Sequence, residues 1–364
     1  MTDSGRGRSL FGPSETGRVM SEFDWSATSV GDPGGWPPLL QTLVRLMLSS
    51  RFSMWLGWGP DLSFFYNDAY ARDTLGVKHP WALARPASQV WSEIWTDLSP
   101  RVEAVVKSGE ATWDEALLLF LERSGYREET YHTFSYSPVT DLDGDIVGLL
   151  CVVTEETSRV IAERRMETIR DLASGVSVAR TQEEVFDAVQ RCLSLNPKDL
   201  PFTLTYVLDG SGVARLVGAT GIEPGHPAAP EVLDPGLGAT WPFAEVLAGG
   251  GTPVVDRLAG RFDDLPTGAW DDPPSQAVLV PLSEGGMAVP SGVFVAGLNP
   301  YRLPDAGYLG FAGLVAGGIA AGMASTGAYE AERRRAESLA ELDRAKTEFF
   351  SNVSHEFRTP ARHP

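Results

Sequence analysis

Cysteine is scarce in this sequence of 364 residues: Cys151 and Cys192 are the only two, and they lie far apart in apolar surroundings. Two such residues give neither a disulfide framework nor a metal cluster, and their scarcity is typical of a reducing compartment, so we expect a cytoplasmic protein.

Basic residues are also fewer than acidic ones: the sequence has 30 Lys and Arg and 48 Asp and Glu, which gives a net charge of −18. Such a chain repels phosphate backbones, which argues against nucleic acid as a main partner.

An apolar leader is absent from residues 1–20, which are rich in Ser, Gly and Arg. Residues 307–325, GYLGFAGLVAGGIAAGMAS, are long and apolar enough to be weighed as a membrane span. Much of this segment is Gly and Ala, and no basic flank stands at its start. A buried helix packed closely on a sheet explains it better, so we expect no membrane span.

Length and composition predict two or three domains of a mixed α+β class with antiparallel sheets. We expect an N-terminal arm over residues 1–35, disordered over 1–22, and a first domain over residues 36–157. A helical connector and a second domain would occupy residues 158–325. A coiled-coil helix over residues 326–364 would end the chain.

Residues 36–157 alternate strand and short-helix patterns. SMWLGWGP and LSFFYN predict two strands around the turn Gly59-Pro60-Asp61, and DAYARDTLG predicts a short helix closed by Gly76. Three antiparallel strands follow, joined near Ser124-Gly125 and at Asp143-Gly144. This region resembles a PAS domain, a sensory fold. The resemblance rests on the YNDAY element and on DLDGDIVGLLCVVTEETSR with its charged exit.

Residues 158–325 begin with a helical connector over 158–195. FTLTYVLDGSGVARLVGATG predicts a hairpin over Asp209-Gly210, QAVLVPLSEG and SGVFVAGLNP predict further strands, and the Gly/Ala helix closes the domain. The order of helix, antiparallel strands, long Pro/Gly loops and closing helix is similar to that of a GAF domain, a second type of sensory fold.

From Gly327 the chain is highly charged and contains no Gly or Pro before Pro360. Apolar residues recur at heptad-like spacing, interrupted by Lys346; they are Leu339, Leu342, Phe349 and Val353. This stripe is typical of a parallel two-helix coil, so we expect a homodimer through the C-terminal helix. A solitary solvated helix is the alternative, but it would leave Phe349 and Phe350 in water.

His355 follows the stripe on the same predicted helix. At about 100° per residue it lies about 160° from the middle of the stripe, so we expect its ring to face solvent. A carboxylate such as Glu356 can bind one ring nitrogen, fix the tautomer and make the other nitrogen a better nucleophile. A zinc site is excluded, because HEFRT has Thr359 where a second histidine would stand.

The segment FFSNVSHEFRTP resembles the H-box of sensor histidine kinases, with seven consecutive matches in SHEFRTP. The resemblance implies that His355 is the phosphoacceptor and Glu356 its acid–base partner. It places Arg358 near the path of the phosphate, Thr359 where phosphatase water is positioned, and Pro360 at a helix kink.

Family members continue past RTP with a second helix and an ATP-binding domain, whereas this sequence reads Ala361-Arg362-His363-Pro364 and stops. It contains no asparagine-rich Mg²⁺ box and no Gly-rich ATP lid, so whether it is an enzyme is open, and we expect ATP and Mg²⁺ only with a separate catalytic domain. The expected function is the sensory and phosphoacceptor part of a two-component histidine kinase that passes phosphate to a response regulator. The alternative is a non-catalytic sensory or scaffold protein that dimerises with a complete kinase.

PAS and GAF pockets can hold haem, flavin, bilins, cyclic nucleotides or metabolites, but no cofactor is identified from these residues. Neither cysteine stands in a flavin or bilin attachment motif. His79 and His132 are the candidate haem ligands, although a loop position and a sheet-face position explain them better. An aromatic set could line a pocket for a small-molecule signal, with core packing as the alternative; it comprises Trp55, Trp58, Phe64, Phe65, Tyr66, Trp91, Trp95 and Trp113.

Overall fold

The protein was examined as a computed structural model. The structure describes residues 10–235, 240–249, 251–283 and 290–356, with side chains described no further than Phe349. Within this part the chain divides into two compact units, with the boundary between Ala162 and Glu163. Both units combine helices with an antiparallel sheet, so the predicted α+β class is confirmed.

The first unit contains five strands in the order β2-β1-β5-β4-β3, all antiparallel. These strands are β1 (Ser53–Trp58), β2 (Ser63–Tyr66), β3 (Thr112–Leu121), β4 (Glu128–Thr140) and β5 (Ile146–Glu155). Its helices are α1 (Glu15–Glu22), α2 (Pro38–Ser49), α3 (Asp68–Tyr70), α4 (Ala87–Val90) and α5 (Trp95–Ser108). The predicted β1–β2 pair and the three-strand meander are both present.

The short helix α3 continues through Ala71–Leu75 and ends at Gly76, as the sequence predicts. Gly76 has a φ of 55°, and a Cβ atom there would stand 2.3 Å from the carbonyl oxygen of Arg123. Glycine is therefore needed here for two reasons: it adopts the positive φ without strain, and it leaves room for the β3–β4 connection to approach closely.

The structure corrects the expected disordered arm over residues 10–35. Ser14 caps α1 by accepting a hydrogen bond from the Gly17 amide, and Phe11, Met20 and Trp25 are buried in the core of the first unit. The ring of Trp25 stacks on Phe65 of β2, with centroids 5.4 Å apart. The Gly/Ser/Arg-rich composition conceals these few large apolar residues, whose burial offsets the entropy of ordering the segment.

The second unit contains six strands in the order β8-β7-β6-β11-β10-β9, again antiparallel. They are β6 (Thr203–Leu208), β7 (Ala214–Thr220), β8 (Val232–Leu233), β9 (Val254–Asp256), β10 (Gln276–Leu282) and β11 (Gly292–Gly297). Its helices are α7 (Gln182–Leu193), α8 (Phe243–Leu247) and α9 (Ala306–Glu356), and α6 (Thr157–Ser177) crosses from the first unit into the second. The predicted Asp209-Gly210 hairpin joins β6 to β7.

Both faces of the second sheet are covered, which explains why β10 and β11 read as nearly continuous apolar runs. Val278 and Val280 of β10 pack into the cluster formed with α6, α7 and α9. Ala277 and Leu279, on the opposite face, join a second cluster around Trp241 and α8. The alternation of side chains along a strand therefore divides one apolar run between two cores.

The helical connector is broken where the sequence prediction had one continuous stretch. Thr181 begins α7 by accepting a hydrogen bond from the Glu184 amide at 3.2 Å, and the Glu184 carboxylate accepts from the Arg180 amide at 2.6 Å. This Thr-x-x-Glu pair satisfies two amides at a helix start, in the manner of a capping box. The signal is present in the sequence TQEE.

The Gly/Ala segment is the first part of α9, not a separate helix. Its residues Tyr308, Phe311, Val315 and Ile319 are buried in the cluster shared with α7 and the sheet. By length and hydropathy, Ala306–Phe349 is the one helix among the described residues that could cross a membrane, and half of its most apolar stretch is buried. Packing in the core accounts for that apolar character, as predicted.

Candidate functional site

The helix α9 carries the histidine motif. It begins at Ala306, enters the core of the second unit at Tyr308, and continues without interruption through His355 and Glu356. Gly327 does not break it, because one glycine costs only about 1 kcal/mol and the residues after it are rich in the good helix formers Ala, Glu and Arg. The orientation of the His355 and Glu356 side chains lies outside the described side chains, and Arg358, Thr359 and Pro360 lie outside the described residues.

The predicted apolar stripe on α9 is largely exposed as far as its side chains are described, which is to Phe349. Residues 331–349 are all exposed, and Leu339, Leu342 and Phe349 are each about two-thirds exposed. Exposed apolar side chains at heptad-like spacing favour covering by a second helix. Two ion pairs, Arg333–Glu337 and Arg334–Glu330, each link residues one helical turn apart in this region. Such pairs are typical of a helix surface that faces water.

Sequence reasoning missed a polar cluster that ties α6 to the start of α9. The Tyr308 hydroxyl donates to the backbone oxygen of Asp199 and accepts from the Asn299 amide at 2.7 Å. The guanidinium of Arg165, from α6, lies 4.1 Å from the centre of the Tyr308 ring, and its Nε stands 3.1 Å from Asp199 Oδ1. The sequence signal for this cluster is the pair Arg164-Arg165. These two arginines lie in a helix whose Ile161 and Leu172 are buried, so they indicate a buried acidic partner.

A small cavity lies within the first unit, between β1, β3, β4, β5 and the helices α3 to α5. Its volume is about 30 Å³. Thr74, His132 and Cys151 form part of its wall, and two of the aromatic wall residues, Tyr70 and Tyr136, carry hydroxyl groups. The aromatic and aliphatic side chains of the wall are Trp55, Tyr70, Trp91, Ile94, Leu98, Leu119, Leu121, Phe134, Tyr136 and Val153.

His132 projects from β4 into this wall and is only 2% exposed. Its Nε2 stands 3.1 Å from Thr130 Oγ1, while its Nδ1 is buried and unpaired in the structure. Burial, and after it the nearby positive charge of Arg123, lowers the pKa of His132 to about 3. The ring is therefore neutral at physiological pH.

The structure does not bring the two candidate haem ligands together in one site. His79 lies before Pro80, and its Nδ1 is 2.9 Å from the Tyr66 hydroxyl, whereas His132 faces the cavity. A space of about 30 Å³ holds roughly two water molecules, so neither haem nor flavin fits it as it stands. Across the part of the chain that the structure describes, no three His, Cys, Asp or Glu side chains are grouped for a metal ion.

The aromatic set is divided between two roles. Phe64, Phe65 and Tyr66 are fully buried in the core, while Trp55 and Trp91 are buried and also line the cavity. Trp113 is 68% exposed on β3, so its inclusion in the set was wrong. Core packing therefore explains most of the set, and the cavity uses a minority of it.

Solved structures similar to parts of this chain include GAF domains and a sensory box. The GAF domain of a phosphoenolpyruvate-protein phosphotransferase from Coxiella burnetii is 18% identical, covering 47% of this chain and 98% of that one, with a TM-score of 0.34. The corresponding Acinetobacter domain is 15% identical, covering 45% and 94%, with a TM-score of 0.34. A sensory box of a sensor histidine kinase from Vibrio cholerae is 14% identical, covering 32% and 90%, with a TM-score of 0.24.

No family model matches the sequence, and comparison with curated proteins gives no match. The structural neighbours include GAF and PAS-like sensory domains.

Proposed function

We propose that this chain is the sensory and phosphoacceptor part of a two-component signal-transduction histidine kinase. One observation carries the proposal: a single helix connects the core of the second unit to the segment SHEFRTP. A change in the packing around Tyr308 would alter the axial position or rotation of α9, and a rigid helix passes such a change to His355.

The proposed chemistry belongs to His355. A neutral ring nitrogen attacks the γ-phosphorus of ATP, a nitrogen–phosphorus bond forms, and the bond to the ADP oxygen breaks. Glu356 would accept a hydrogen bond from the other ring nitrogen and hold the tautomer that leaves the attacking lone pair free. Arg358 would lie near the transferred phosphate, and Thr359 would position water in the reverse, phosphatase direction.

ATP and Mg²⁺ would be presented by an ATP-binding catalytic domain. The phosphorylated His355 would then pass its phosphoryl group to an aspartate of a response regulator. The exposed stripe of Leu339, Leu342 and Phe349 supports a homodimer as the working form. We place this assembly in the cytoplasm, in keeping with the two unpaired cysteines.

Incubation of the full chain with γ-labelled ATP and Mg²⁺, alone and with a complete histidine kinase, tests the proposal. We expect label on this chain in the mixture only, stable in base and labile in acid as a phosphohistidine is. His355→Gln should abolish it, whereas His363→Gln, the matched change of the other C-terminal histidine, should leave it intact.

Label that persists in His355→Gln would contradict the assignment. Autophosphorylation of the complete kinase serves as the internal positive control in the same tube. If that kinase labels itself, binds this chain and leaves it unlabelled, the chain acts as a sensory scaffold and not as a phosphoacceptor.

A further inference from the structure

Two polar atoms in the wall of the first-unit cavity have no hydrogen-bond partner. They are Thr74 Oγ1, in the helical turn after α3, and His132 Nδ1, on β4. Both residues are more than nine-tenths buried, at 5% and 2% exposure. Buried polar side chains in folded proteins nearly always have a partner, and an exception needs an explanation.

The hydrogen bonds around His132 decide what its free nitrogen can accept. The Thr130 hydroxyl donates to the backbone oxygen of Leu119 at 2.7 Å, so its proton is already used. Thr130 Oγ1 must therefore act as the acceptor toward His132 Nε2, which carries the ring proton. In a neutral ring this leaves Nδ1 with an exposed lone pair, which calls for a hydrogen-bond donor.

The size and charge of the cavity limit that donor. A volume of about 30 Å³ accommodates one to three non-hydrogen atoms, since one water needs about 10–15 Å³ by the same measure. The nearest guanidinium, Arg123, is paired with Glu128 and Glu155, and it disfavours a second cation near His132. The rest of the wall is aromatic or aliphatic, including Tyr70 and Tyr136 with their neutral hydroxyls, and it supplies no cationic side chain, which disfavours an anion as well.

We propose that this cavity binds a neutral hydroxyl compound of one to three non-hydrogen atoms, which donates to His132 Nδ1 and pairs with the Thr74 hydroxyl. Water and a methanol-sized alcohol share this chemistry. The site is independent of His355, and it gives the first unit a ligand class different from a planar aromatic cofactor.

The test uses the full chain with ¹⁵N-labelled histidine, and the His132 ring signals are assigned from their loss in His132→Gln. We expect a long-lived water contact to the His132 ring in the absence of alcohol. Methanol should replace that contact and shift the Nδ1 signal in a saturable way. Persistence of the water contact at all methanol concentrations would still support the hydroxyl site, with water as its occupant.

Xenon is the apolar probe of comparable size, and Thr74→Val is the isosteric variant. Wild type should prefer methanol over xenon, and Thr74→Val should weaken methanol binding at least tenfold while xenon binding is retained or gained. The proposal is overturned if His132 shows neither a water contact nor a methanol shift. It is equally overturned if Thr74→Val binds methanol as tightly as wild type does.

Discussion

Arg164 of α6 holds Asp199 by two parallel hydrogen bonds, from Nε to Oδ2 at 2.7 Å and from Nη2 to Oδ1 at 3.0 Å. Asn196 donates to the same carboxylate at 3.0 Å. Burial alone would raise the pKa of Asp199, but the hydrogen bond and charge of Arg164 outweigh it, and the pKa lies below its usual value. This fully buried carboxylate therefore remains charged and fastens the connector helix to the second unit.

Replacing Asp199 by alanine should strongly destabilise the second unit. Arg164 and Arg165 would be left without their buried partner, a loss that typically costs about 3 kcal/mol or more. Chemical denaturation followed by circular dichroism measures the change. Asp171→Ala, which removes an exposed ion pair to Arg170 on the same helix, is the matched control and should leave the midpoint almost unchanged.

The pH dependence of this effect has a fixed sign. Because the pKa of Asp199 is lowered by folding, its contribution to stability is fully present above the ordinary pKa of 3.8 and is lost as the pH falls below that value.

Equal destabilisation by Asp199→Ala and Asp171→Ala would show that the Asp199 cluster contributes no more to stability than a surface ion pair.

Acidification should weaken the first unit through His132. The folded ring has a pKa of about 3 against an ordinary value of 6.5, because burial and then Arg123 disfavour its protonation. The unfolded chain therefore binds the extra proton between these values, and stability falls as pH decreases from 6.5, by about 1 kcal/mol per pH unit. Urea unfolding at pH 7, 6 and 5 measures the slope.

His132→Gln keeps a neutral polar side chain that does not titrate in this range. We expect it to flatten the slope between pH 7 and 5, whatever its effect on the absolute stability. An identical slope in wild type and variant would show that the buried ring is not responsible.

If the proposed homodimer forms through α9, Leu342→Glu together with Phe349→Glu should convert it to a monomer in sedimentation. Each change places a charge in the apolar stripe on α9, where a second helix would otherwise cover it. Leu142→Glu is the control, since Leu142 is fully exposed in the β4–β5 turn and lies outside the stripe. A dimer that survives the paired change would place the interface elsewhere.

Asp68→Ala should loosen α1 without unfolding the first unit. The Asp68 carboxylate accepts hydrogen bonds from the Thr16 amide at 2.7 Å and the Glu15 amide at 3.2 Å, at the start of α1. Loss of such a cap typically costs about 1 kcal/mol, which corresponds to roughly fivefold faster trypsin cleavage after Arg18. Asp61→Ala, in the exposed β1–β2 turn, is the control, and equal cleavage of both variants would exclude the capping role.

Local patterns were sufficient for much of the fold. Turn residues such as Gly59-Pro60-Asp61 and Asp143-Gly144 separate alternating apolar runs, and those runs became paired strands at the predicted places. The sequence prediction missed the break before α7, although the local cap formed by Thr181 and Glu184 signals it. These features involve residues close in sequence, whose geometry the backbone fixes with little help from distant contacts.

The ordered N-terminal segment could not be predicted in this way. Trp25 stacks on Phe65, forty residues further on, and α1 begins where Asp68 supplies its acceptors. Composition alone assigned the segment to disorder, since long-range packing leaves no periodic signal in a short stretch.

By itself the sequence determined the antiparallel α+β class, the heptad-like stripe and the helical register that carries His355 and Glu356, because each follows from spacing along one element. Only the tertiary structure decided that the Gly/Ala segment and the charged segment are one helix. It also decided that Asp199 pairs with two arginines and that Thr74 and His132 share a cavity. Such pairings depend on which distant elements pack together, and burial then sets the charge and hydrogen-bonding demand of each group.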